Sequence, residues 1–192
     1  MQTPHAERIS SGTDRARPRL SGPAVAIAAV SFAAGIASGG ISYVHRSPHR
    51  EAHVAGTAAW WPHLALFVLA VALVVIVVRR SPRPVDVLLA PLGSRAAQRL
   101  RRTLSAARRH PTAVLRLLIG LLPLAILVYS PWRIGDQILG GLDPNFTVNA
   151  WGGPSYLGAM ACHYLDGALL MAASAGLLNL LLLPAAEPNH AR

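Results

Sequence analysis

The chain has no lysine: all 18 of its basic residues are arginine, set against 8 acidic residues. Without lysine there is no Walker loop and no Ser-x-x-Lys pair, and no Rossmann glycine pattern is present either. The single cysteine, Cys162, excludes an internal disulfide, a zinc ribbon and a redox CxxC. Charge is scarce, at 14% of residues where an ordinary soluble domain carries about 25%. With 53% hydrophobic residues and a mean hydropathy of +0.40, most apolar side chains must face lipid or one another. The 192 residues leave room for about four membrane crossings and their loops, not for a large soluble domain as well. We read the all-arginine usage as the mark of a GC-rich bacterial gene and build no mechanism on it.

What is present is apolar length. The 15 residues from Leu64 to Val78 are uninterrupted, with Trp60 and Trp61 before them and Arg79 and Arg80 after. With that shoulder the segment reaches the ~20 residues that cross a ~30 Å hydrocarbon layer, anchored by aromatics at one end and cations at the other. Three further stretches qualify, so the predicted class is an all-α integral membrane protein with four transmembrane helices, at about 23–44, 60–78, 112–132 and 160–183 within a domain over 23–184. Residues 1–22 read as a basic disordered tail, 79–111 as a basic loop, and 185–192 as a short tail. The first span is rich in Ala and Gly and weakly hydrophobic. Its Ser31, Gly35 and Gly39 recur every four residues, which predicts a small-residue face for close helix packing. Ala37-Ser38-Gly39 also offers a signal-peptidase site, but the span is long for a cleaved segment, and an uncleaved anchor is expected. Pro123 should kink the third span.

Orientation follows from the arginines. Four crossings put 15 of them on one side, nine of these in the loop 79–111, and leave Arg46, Arg50 and Arg133 on the other. The positive-inside rule then places both termini in the cytoplasm of a bacterial plasma membrane. Within the basic loop, Ala97, Leu100, Leu104 and Ala107 fall at helical spacing, predicting an amphipathic helix from about Ser94 to Arg109 on the inner leaflet. Arg79, Arg80, Arg99 and Arg102 are the expected contacts to anionic head groups, the nearer partner than nucleic acid for this charge.

Candidate chemistry lies at the opposite face. His163 and Asp166, three apart, share a helix face, and Arg133 and His63 are predicted at the same membrane boundary. An ionisable residue inside a span is a functional hypothesis by default; the competing reading is a salt bridge from Asp166 to Arg133 that ties two spans together. Ser47-Pro48 resembles a helix start, and a helix there would set His49 and His53 at i and i+4, a weak metal-holding pattern that is not a zincin HExxH. Asn145-Phe-Thr147 matches a glycosylation sequon, which a bacterial chain gives no reason to use. Asp166-Gly-Ala lacks the Asp-x-x-Asp-Gly start of membrane phosphatidyltransferases, and the first span lacks the carboxylate that small four-helix drug exporters carry there. No cofactor is implied. The reading is a non-enzymatic accessory, assembly or scaffold component, partnered by lipid and by another membrane protein or a second copy of itself. The alternative is a small transporter or membrane enzyme using the cluster of His63, Arg133, His163 and Asp166.

Overall fold

A computed structural model describes residues 19–185 of the chain. The expected tails, with Arg8, Arg15, Arg17 and Arg192, lie almost wholly outside the described residues. The elements are α1 (Gly22–Val44), α2 (Trp60–Arg80), α3 (Pro84–Leu88), α4 (Ser94–Ala107), α5 (Pro111–Gly140), α6 (Pro144–Thr147) and α7 (Tyr156–Leu181), with a 3-10 turn at Ala90–Leu92. No strand occurs among the described residues; Leu20 and Gly93 form one isolated bridge. Helices α1, α2, α5 and α7 are long and apolar enough to cross a membrane. Pro23 and Pro111 sit where their missing N–H does no harm, in the first turns of α1 and α5.

The four long helices pack in the order α1, α5, α7, α2. Lipid chains are as apolar as leucine, so such contacts rest on close fit rather than on hydrophobic burial. The α1–α5 seam is the most extensive. Ser31 donates to the Val128 carbonyl at 2.6 Å. Gly35 lies on the Trp132 carbonyl and Gly39 on that of Asp136, while Gly135 of α5 lies on the Phe32 carbonyl. Any side chain at these glycines would run into backbone. The matched ascending order of contacts makes the two helices parallel.

This seam explains why α5 is 30 residues long rather than ending near Trp132 as expected. The polar run Arg133-Ile-Gly-Asp136-Gln137 stays helical because α1 packs along it, and both Pro123 and Pro131 are accommodated inside the helix. The segment 46–59 also departs from expectation. It is not helical, and its backbone is held instead by two asparagines: Asn145 Oδ1 accepts from Glu51 N–H at 3.0 Å, and Asn149 Oδ1 accepts from Val54 N–H at 2.8 Å.

At the other end of the bundle, α4 closes off α7. The last carbonyls of a helix lack intrahelical donors and attract cations. Arg99 of α4 donates to Leu182 O at 2.6 Å, Leu183 O at 3.1 Å and Asn179 O at 2.6 Å, and also contacts the Asn179 side chain. Arg102 reaches Pro184 O at 2.8 Å and Arg116 reaches Leu181 O at 3.0 Å. Thr103, fully buried, accepts from Leu183 N–H at 3.0 Å. Residues 19–21 pair with the 92–94 strap beside α4, so both described ends of the chain lie at this end.

Candidate functional site

The site forms where α2, α5 and α7 meet, at the end of the bundle opposite α4. Helix α7 starts at Ser155, whose hydroxyl accepts from Gly158 N–H at 3.2 Å and so caps the first turn. Two turns further on, His163 and Asp166 fall on the face turned to α5. Helix α2 is fixed at its start by Ala59 N–H donating to Trp151 O at 2.8 Å, and His63 is its one buried residue, 6% exposed, with its ring 5.5 Å from that of Trp151.

The pairing is not the one expected. His63 Nε2 lies 3.3 Å from Asp166 Oδ2, so the carboxylate partner comes from α2. Arg133 turns its guanidinium to His163 instead, with Nη2 at 3.4 Å from Nδ1. Guanidinium has no lone pair to offer, so His163 Nδ1 is the acceptor and its proton sits on Nε2. Two histidine-centred contacts thus stand in place of the expected Arg133–Asp166 bridge, although Arg133 and Asp166 line the same cavity.

Between α5 and α7 is a cavity of about 40 Å³, lined among others by Ser130, Arg133, Gln137, His163 and Asp166. Ser130 donates to Ile126 O at 2.7 Å and so turns only lone pairs elsewhere. Gln137 is 4% exposed, and its Oε1 has no hydrogen-bond partner among the described residues. A buried amide oxygen left unpaired costs about 1–3 kcal/mol, so this is a costly polar atom of the site. A void of this size admits a water molecule or a small ion. It is far below the ~300–1,000 Å³ of sites that enclose organic ligands.

The remaining candidates are placed as follows. His49 and His53 share no helical turn, since 46–59 is not helical; the His53 ring engages Val148 O at 2.7 Å, and the described residues contain no group of three or more His, Cys, Asp or Glu able to hold a metal ion. Ser31, Gly35 and Gly39 lie in the α1–α5 seam. Arg79 and Arg80 are exposed in the last turn of α2, whereas Arg99 and Arg102, expected at lipid head groups, are engaged on the end of α7. Gln137 and Asn149 carried no signal in the sequence and Asn145 stood out only in a sequon, since their partners are either absent among the described residues or nearly a hundred residues away. Set against family models, curated proteins and solved structures, the chain matches none, so its function is argued from this site alone.

Proposed function

We propose that the protein is a small multi-pass component of a bacterial plasma membrane that works through an ionisable site at its outer face, taking up and releasing a proton or a water-sized ion. Arginine asymmetry sets the orientation, with both termini and α4 on the cytoplasmic side. The exposed Arg79, Arg80, Arg95, Arg108 and Arg109 face anionic head groups there. The observation that carries the reading is the convergence of Arg133, Gln137, His163 and Asp166 from two spans around a cavity of about 40 Å³, with His63 from a third span set on Asp166. Stability alone does not account for such a cluster, because partly buried ion pairs are commonly replaced by well-packed apolar residues without loss.

The test is the paired replacement His63→Leu with Asp166→Leu, assayed in the full chain in liposomes. It should stay folded at normal abundance and lose exchange of protons or small ions with the medium at the outer face. A variant that keeps wild-type exchange, or a wild type that shows none, refutes the proposal. A second reading, an accessory or assembly component, is favoured by the packing order, which leaves α1 and α2 at the two ends of the row with few fully buried residues. Crosslinking that recovers one stoichiometric partner in native membranes would support it.

A further inference from the structure

The geometry around His63 fixes how many protons the site holds. Nδ1 of His63 lies 2.7 Å from the Ala59 carbonyl, which only accepts, so Nδ1 carries a hydrogen. The neutral ring then turns a bare lone pair on Nε2 toward Asp166 Oδ2, 3.3 Å away. An ionised carboxylate has only lone pairs to offer in return. The contact as it stands therefore holds one exchangeable proton, either on Nε2 as imidazolium facing carboxylate or on Oδ2 as carboxylic acid facing imidazole.

Loss of that proton leaves two acceptors face to face. His63 can restore a donor on Nε2 only by moving its hydrogen from Nδ1, which abandons the Ala59 carbonyl at the start of α2. The alternative is close at hand. Arg133 makes its one hydrogen bond among the described residues to His163, and it lines the same cavity as Asp166. Once Asp166 is ionised and unpaired, the guanidinium gains more from the carboxylate than from a neutral imidazole. Gln137 is 4% exposed in the same wall, and its Oε1, without a partner among the described residues, is an acceptor for the guanidinium as it turns. The other groups facing the pair are Cys162 and His163 on α7 and Tyr129 across the cavity on α5, with the uncharged ring of Trp151 against His63.

We infer that the occupant of the site is a proton shared by His63 and Asp166, and that its release exchanges the partners: Asp166 passes from His63 to Arg133, and α2 loses the polar tie that docks it on α7. The proton leaves from Asp166, the more exposed partner, with its side chain 26% exposed; no other covalent bond is made or broken. The consequence falls on α2 because His63 is the only residue of that helix that is buried. This rests on the ionisable-site reading and narrows it from any small ion to the proton.

The experiment places spin labels on α2 and α7 of the full chain in lipid nanodiscs, with Cys162 replaced by Ala, and records the interhelix distance across pH. The wild type should change from a short to a longer distance as pH rises. Asp166→Asn should stay short throughout, because its amide N–H donates to Nε2 without needing an exchangeable proton; His63→Phe should show no pH step either. A distance that ignores pH in the wild type, or a step that persists in Asp166→Asn, overturns the inference. Binding of radioactive sodium separates the two levels. Stoichiometric sodium uptake abolished in Asp166→Asn would overturn the proton assignment and leave a small-ion site standing. A chain that shows neither a pH step nor ion uptake would sink both.

Discussion

Replacing Gly39 by alanine sets a methyl group against the backbone carbonyl of Asp136. Carbonyls in the middle of a helix do not swing aside as a side-chain end does, so α1 must retreat from α5. Overpacking of this kind costs about 1–3 kcal/mol, and the retreat also stretches the Ser31 bond to Val128, worth about 0.5–1.5 kcal/mol. We therefore expect Gly39→Ala to destabilise the fold by about 1.5–4.5 kcal/mol. Gly35→Ala should behave alike, against Trp132. The double variant should cost less than the sum, because one retreat relieves both clashes. Controls are built into the molecule. Gly176, in α7, has nothing within 4 Å of where a Cβ would sit, so Gly176→Ala should gain up to about 1 kcal/mol from helix propensity. At Gly40 the nearest obstacle is the flexible end of Leu139 at 3.3 Å, and the effect should be slight. Equilibrium unfolding in mixed detergent micelles reads these differences. Unfolding of Gly39→Ala together with Gly176→Ala, or within about 0.5 kcal/mol of wild type, would refute the clash with the Asp136 carbonyl.

Three further outcomes follow from other contacts. Arg99→Ala should cost about 1.5–3 kcal/mol by uncapping α7, with faster amide exchange at Leu182 and Leu183, and Arg99→Lys should recover only part of it because an ammonium lacks the planar fork. Full recovery by lysine would mean that charge alone matters. Asn149→Ala should raise exchange at the Val54 amide by releasing the 49–54 segment, leaving the melting of the long helices unchanged; equal exchange would show that Asn149 is not the tether. Zinc added to the full chain should leave thermal stability unmoved, since His49 and His53 share no helical turn; a clear rise in melting temperature abolished by His53→Ala would contradict that placement.

The four spans were legible because lipid selects uninterrupted apolar length, and a run such as Leu64–Val78 admits no other reading. The end of α5 was not. Arg133, Asp136 and Gln137 carry the composition of a loop, and only packing against α1, a neighbour about a hundred residues away in sequence, keeps them helical. The small residues of α1 pointed to a close neighbour but could not say which helix it would be. The site was legible as a set of residues and not as a set of pairs: spacing put His163 and Asp166 on one face, yet whether Asp166 met Arg133 or His63 depended on the relative height of three helices. Arg99 illustrates the same limit, since an arginine on an amphipathic helix looks alike in sequence whether it meets a phosphate or the carbonyls at the end of α7.

The most direct test of the account is the number of protons released by the reconstituted chain on a step to higher pH, compared between wild type and Asp166→Asn. One proton per chain should separate the two, the one held between His63 and Asp166. Equal release from both proteins would contradict the account, for the carboxylate would then be a structural tie and not a working site.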